Sequence, residues 1–175
     1  SVVGQLVVSR FGRVVWAWGG ARLCDPRPRP VRARVSSLIP PNGADRRVKL
    51  CAGGLRDTGL TVQLLRLVHG REEERLRIRA TLPALAALVD HGYVGREDGA
   101  KLAEAYRYQR LLEHRAQLHK MRRTHLIPDD EAGLRRLARA TGRSESNQVV
   151  EDWRASRRTV TRLHLRVFYS PLLEA

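Results

Sequence analysis

The sequence predicts a mainly α chain: a helical bundle of about five helices with a small irregular or short-strand N-terminal part. Three observations carry this. From Asp57 onward, apolar residues recur at helical spacing in successive segments. Glycine or proline punctuates the ends of those segments. Before residue 45 the periodicity is weak, and Pro26, Pro28 and Pro30 alternate with arginines, so no helix continues there. There is no internal repeat.

Taken in order, Val2 to Val8 and Val14 to Trp18 read as short strands, the second broken by Gly19-Gly20. Trp16 and Trp18 are expected to be packing residues. Val31 to Ile39 is either a short helix or an extended piece before a turn at Pro40-Pro41-Asn42-Gly43. A short strand is expected near Val48–Leu50. Leu60 to His69 fits a buried helix stopped by Gly70. Arg71 to Arg79 is a charged connector anchored by Leu76 and Ile78. The next helix has Thr81 as N-cap, Pro83 in its first turn, an apolar face of Leu82, Leu85, Leu88 and Val89, and Gly92 as its stop. The longest helix runs from about Glu97 to Arg123, with Leu102, Ala105, Tyr106, Leu112 and Ala116 on one face. So wide a face suits a central helix with neighbours on two sides. Pro128-Asp129-Asp130-Glu131 opens a helix with acidic residues where the dipole favours them; Leu134, Leu137 and Ala138 are its core side and Gly142 its stop. The last helix spans Asn147 to Phe168, with Val149, Val150, Trp153, Val160, Leu163, Leu165 and Val167 inward and Pro171 at its end.

The 175 residues suffice for one domain with a real core. No apolar run approaches the ~18 residues of a membrane span, so no membrane partner is expected. The opening residues lack the pattern of a signal peptide, and a start at Ser1 suggests a piece cut from something longer. Cys24 and Cys51 form neither a metal spacing nor a disulfide framework, which makes a reducing cytoplasm the expected compartment. The net charge of +15 invites a nucleic-acid reading. Its distribution argues against one. Residues 1–57 carry 11 basic and 3 acidic side chains, and residues 58–175 carry 22 and 15, so no single run holds the charge. All but Lys49, Lys101 and Lys120 are arginine in an Ala-, Gly-, Leu- and Val-rich chain, as a GC-rich genome would write on any surface. Three Trp, four Tyr and two Phe are too few to interleave a basic stripe.

The stretch Val48-Lys49-Leu50-Cys51-Ala52-Gly53-Gly54-Leu55-Arg56-Asp57 is the most informative. Two adjacent glycines allow positive φ and a close backbone approach. Such a junction before a helix either faces a phosphate or is simply a tight turn, and spacing leaves both open. Lys49 and Arg56 meet phosphate oxygens or a partner domain; the alternative is an Arg56–Asp57 salt bridge. Glu113 and His114 are expected as a satisfied buried pair, His125 as a cap or turn residue, and His91 and His119 at the surface. Asp129, Asp130 and Glu131 read as a helix start in preference to a metal site.

These residues resemble the glutamine-synthetase adenylyltransferase family, large bacterial enzymes that adenylylate and deadenylylate glutamine synthetase, and the related uridylyltransferases of the PII signalling protein. The family pattern Asp-x-Lys-Leu-Gly-x-Gly-Gly-Leu/Ile-Arg-Asp/Glu-Val/Ile-Glu-Phe, then Val-Gln-Leu-Leu-Gln-Leu, is matched by Val48-Lys49-Leu50, Gly53 to Asp57 and Val62 to Gly70. Ala105-Tyr106-Arg107 with Arg110 to Arg115 and Gln117 is similar to its Tyr-Arg…Leu-Glu-His-Arg-Leu-Gln helix, and Arg123 to Pro128 to its Thr-His-x-Leu-Pro turn. Thr81-Leu82, Gly92-Tyr93-Val94, Leu137-Ala138-Arg139 and Val167-Phe168-Tyr169 fit the rest, so the likeness covers about residues 46–175.

The resemblance implies that residues 46–175 are the helical domain that follows a nucleotidyltransferase domain, with 1–45 as a degenerate edge of that domain. It implies AMP transfer to or from a tyrosine of glutamine synthetase, with ATP and Mg2+ serving the complete enzyme and glutamine synthetase and PII as partners. The ending from Phe168 to Glu174 looks more like the deadenylylating half. Lys49, Gly53, Gly54, Arg56 and Asp57 are the implied nucleotide-site edge. The family's metal-holding Asp-x-Asp pair is missing before Asp57, Thr58-Gly59-Leu60 stands where Val-Glu-Phe is expected, and Cys51 replaces a glycine. The chain alone, with no catalytic or metal residue and no cofactor of its own, is therefore expected to be inactive, since arginines cannot replace metal-binding carboxylates. A stand-alone basic helical module binding nucleic acid or an acidic protein, or an inactive remnant, are the alternatives.

Overall fold

A computed structural model describes residues 43–119 and 124–173, with the backbone alone for 167–173 and for two strands, β1 (Gln5–Val8) and β2 (Val14–Ala17). The strands pair antiparallel, Gln5 opposite Ala17 and Val8 opposite Val14, within the segments the sequence marks for them. The expectations for the side chains of Trp16 and Trp18, for Cys24, for Val31 to Ile39 and for Pro40 to Asn42 lie outside the described residues.

Five helices follow: α1 (Leu55–His69), α2 (Thr81–Asp90), α3 (Arg96–Leu118), α4 (Glu131–Ala140) and α5 (Ser146–Leu173). The molecule is mainly α, as the periodicity predicts. Short 3-10 turns lie at Ala44–Arg46 and Glu74–Leu76, the second placing Leu76 fully in the core as the connector's anchor. Gly92 and Gly142 follow the ends of α2 and α4 with φ of 79° and 74°, the left-handed stop that glycine takes without cost. Asp130 caps α4, its carboxylate accepting from Gly133 N at 2.7 Å.

Several local expectations are corrected. No strand forms at Val48–Leu50. Arg47 makes one isolated bridge to Leu126, after which Leu50 N and Cys51 N both donate back to Arg47 O and close a turn. α1 begins at Leu55 and not near Leu60, because Leu55 N and Arg56 N donate to the carbonyls of Val48 and Lys49, so the turn itself satisfies the helix's first donors. Thr81 is the first helical residue and Ala80 the cap, without a side-chain bond. α3 stops at Leu118 rather than Arg123; His119 is extended, and the chain returns so that His125 O accepts from Val48 N. α5 runs past Pro171 to Leu173. Proline's φ suits a helix, and so near the end its missing N–H costs a single bond. Leu165, expected inward, is 48% exposed.

The apolar side chains form two pools. One gathers Val48, Cys51, Leu55, Tyr106, Leu112, Ile127, Leu137, Val149 and Trp153. The other gathers Val62, Leu76, Leu85, Leu88, Leu102, Ala105, Val160 and Leu163. α1, α3 and α5 contribute to both, and each carries a buried polar residue between its two contributions: Thr58, Gln109 and Ser156. The Gln109 amide donates to Gly53 O at 2.8 Å and to Ser156 Oγ at 3.4 Å. A polar layer thus divides the core at the level of the glycine turn. Farther along, Thr61 Oγ1 donates to Asp57 O at 2.8 Å and lies 2.7 Å from His164 Nδ1, joining α1 to α5.

Candidate functional site

The turn from Val48 to Asp57 is held from three sides. Gly53 has φ +73°, and a Cβ there would lie 2.2 Å from Arg157 O and 2.5 Å from Thr161 Oγ1. Only glycine lets the turn touch the backbone of α5. At Gly54 a Cβ would meet Val48 O at 2.6 Å. Asp57 folds its carboxylate back, and Gly53 N donates to Asp57 Oδ2 at 2.7 Å, a buried charge-assisted bond. Gly54 N donates to Cys51 O and Asp57 N to Gly54 O.

The amides that would cradle a phosphate at a helix N-terminus are therefore bonded inside the chain. What remains for an outside anion is side-chain charge. Lys49 and Arg56 are both exposed, and Arg56 N donates to Lys49 O at 3.1 Å, so the two residues share one corner. Arg56 points out where Asp57 points in. Gly53, Gly54 and Asp57 shape that corner from beneath. Cys51 lies under it, buried, its thiol pushed up to about 11 chiefly by burial, with Asp57 and Asp45 adding and Arg157 opposing.

Sequence reading missed the residues that hold this corner from across the molecule. Arg157 donates to Ala52 O through Nε and to Asp45 O through Nη1, both at 3.0 Å. Trp153 Nε1 donates to Asp45 O at 3.2 Å, and the guanidinium of Arg157 sits 5.6 Å from the Trp153 ring centroid. No local pattern announces Arg157. Gln109 does leave a trace: an amide set among Leu102, Ala105, Tyr106 and Leu112 on the apolar face of α3.

Glu113 is buried and satisfied, but its partners differ from the expected one. His114 is exposed. The carboxylate instead accepts from Arg110 Nη1 at 2.7 Å and faces His125 Nδ1 at 3.1 Å, tying α3 to the segment before α4. Helix spacing explains this, since the residue after Glu113 points about 100° away. His125 is a cross-link where the sequence suggested a cap. His91 and His119 are exposed, as read. Asp129 pairs with Arg46 at 3.0 Å, Asp130 caps α4, and Glu131 accepts from Arg135 at 3.0 Å and from Ser146 at 3.0 Å, which bears out the helix-start reading. Among the described residues no group of three His, Cys, Asp or Glu is placed to hold a metal ion. These carboxylates are committed to arginines, caps and amides, so they do not fit the Mg2+ that the resemblance implies for a complete enzyme, and no step is derived through one.

Comparison with known proteins follows the same line. The family model described as GlnD PII-uridylyltransferase matches residues 31–168. The chain is 51% identical over 173 residues to the bifunctional glutamine synthetase adenylyltransferase/adenylyl-removing enzyme of Cutibacterium acnes, which covers 99% of this chain and 18% of that protein. It is 46% identical over 175 residues to the enzyme of the same name from Streptomyces coelicolor, with 99% and 18% covered. For that of Mycobacterium avium the identity is 48% over 153 residues, with 83% and 15% covered. The chain thus spans less than a fifth of the length of these relatives. With the glycine turn, the helices behind it and the match over residues 31–168 all in register, the chain belongs to the GlnD PII-uridylyltransferase family.

Proposed function

We propose that this chain serves as the helical domain of a glutamine-synthetase adenylyltransferase/adenylyl-removing enzyme, from about residue 46, with residues 1–45 as the edge of a nucleotidyltransferase lobe. Its task is to wall the nucleotide site and to present surface to glutamine synthetase and to the PII signalling protein in the cytoplasm. The observation that carries this is the 51% identity to a bifunctional enzyme of that name along nearly the whole chain. The corner at Lys49 and Arg56 supports it: two exposed cations beside a rigid turn whose Gly53, Gly54 and Asp57 set their position. In this reading Lys49 and Arg56 approach the phosphates of ATP, or of the AMP being removed. ATP, Mg2+ and the metal-binding carboxylates are supplied by the rest of the enzyme. The chain by itself moves no AMP.

The test is a chimera: the matching segment of the Cutibacterium acnes enzyme replaced by this chain. It should transfer AMP to glutamine synthetase, or remove it, at a rate near that of the parent. Lys49→Ala and Arg56→Ala should each raise the KM for nucleotide about tenfold, the loss of one charge-assisted bond. A folded chimera without either activity, indifference to both substitutions, or AMP transfer by the isolated chain would each refute the reading.

A further inference from the structure

The residue that ties the candidate corner to the bundle is Arg157, on α5, more than a hundred positions away in sequence. Its guanidinium reaches two main-chain carbonyls at once, Ala52 O and Asp45 O, each at 3.0 Å. These two carbonyls bracket Lys49 on either side. A planar fork with fixed N–H directions can satisfy both; an ammonium cannot. Asp45 O also accepts from Trp153 Nε1 at 3.2 Å, and the Trp153 ring supports the guanidinium from 5.6 Å. One turn of α5 therefore grips both ends of the loop that carries Lys49. The backbone of the same turn presses on the loop's apex: the Arg157 carbonyl occupies the space a Cβ of Gly53 would need. From the loop the constraint passes to Arg56, whose amide donates to Lys49 O.

Arg157 is half-buried and belongs to neither apolar pool. Its removal leaves both pools intact while freeing the loop.

We infer that Arg157 is the positioning residue for the basic corner of Lys49 and Arg56, holding the 45–56 loop in the shape that lets both cations meet phosphate together. The inference rests on the proposed function for its catalytic consequence, and on the hydrogen bonds alone for its structural one.

Two measurements test it. In the 175-residue chain, Arg157→Ala should speed amide exchange at Gly54, Leu55 and Arg56 by about tenfold or more, while amides within α3 keep their protection. In the chimera, Arg157→Ala should raise the KM for nucleotide about tenfold with kcat within about twofold, the signature of lost alignment before chemistry. Arg157→Lys, which reaches one carbonyl in place of two, should keep at least part of each loss. Unchanged exchange at these amides, equal acceleration throughout the bundle, or wild-type behaviour in Arg157→Lys would overturn the clamp. Faster exchange at the loop with an unchanged KM, in a chimera where Lys49→Ala and Arg56→Ala do raise it, would overturn the positioning role. Should those two substitutions have no effect, the proposed function fails, and the exchange experiment still decides the clamp.

Discussion

Substitution of Gly53 by alanine tests whether the glycine turn is fixed by its contact with α5. Two costs arise. At φ +73° an L side chain enters the left-handed region, which costs about 1–2 kcal/mol. The added Cβ would also stand 2.2 Å from the Arg157 carbonyl oxygen and 2.9 Å from its carbon. Those are backbone atoms of a long helix, so they cannot rotate aside as a side-chain tip would. Overpacking of this kind adds about 1–3 kcal/mol. The sum, about 2–5 kcal/mol, is a large share of the roughly 5–15 kcal/mol that holds a typical domain together. For a chain of this length it corresponds to a fall in Tm of about 4–20 °C. Gly59 supplies the control. It lies inside α1 with open space where a Cβ would go, so Gly59→Ala should stabilise by about 0.5–1 kcal/mol through helix propensity. The assay is thermal unfolding followed by far-ultraviolet circular dichroism, with urea titration to check that the transition keeps its slope. If Gly53→Ala melts within a degree of the parent, the close approach of the turn to α5 is wrong. If Gly59→Ala destabilises as much as Gly53→Ala, the argument from local geometry fails altogether.

Two further perturbations probe other contacts. Glu113→Gln keeps the shape of a buried side chain but removes the charge shared by Arg110 and His125. Those partners are half-exposed and solvent offsets part of the loss, so the cost should be about 1–2 kcal/mol, read as a Tm drop of about 2–8 °C; an unchanged Tm would show that the bridge contributes nothing. His69 stacks on Tyr93 with ring centroids 4.1 Å apart, and burial holds its pKa below the ordinary histidine value, against a smaller opposing pull from Glu72. The folded state then binds this proton less readily than the unfolded one. Its contribution to stability is present above the ordinary value of about 6.5 and is lost as pH falls through the lower folded value. Between about pH 7.5 and about pH 5.5 the parent should lose more Tm than His69→Gln does, and equal losses would contradict the assigned direction.

The bundle was legible in the sequence because its signals are local. The stripe Leu82, Leu85, Leu88 announces α2 without reference to any neighbour, and Gly92 and Gly142 end their helices through their own backbone freedom. The acidic start of α4 is equally self-contained, since Asp130 caps a residue three positions on. What stayed hidden depends on residues far apart. Val48 seemed to begin a strand because nothing nearby says that Leu126 offers a single bridge and no ladder. Glu113 looked buried, correctly, but its partner His125 arrives from the next segment, whereas adjacent His114 points to water. Leu165 follows the apolar rhythm of α5 yet lies where no neighbouring helix covers it among the described residues. At the candidate corner, the glycine spacing was compatible with both a phosphate cradle and a turn. Only the hydrogen bonds of Gly53 and Gly54 show where their amides go, and only the fold brings Arg157 to them.

The band formed by Thr58, Gln109 and Ser156 has a bearing on how this bundle can vary. Greasy side chains exchange for one another with little penalty, so a bundle built on them alone would tolerate a helix slipping lengthwise by one 5.4 Å turn. A slip of α5 here would carry Ser156 away from the amide of Gln109 and slide Arg157 off both carbonyls it grips. The band acts as a keyway: the leucines and valines above and below can drift in identity over generations, while the axial setting of the three long rods, and with it the seat of the basic corner, stays indexed to one position.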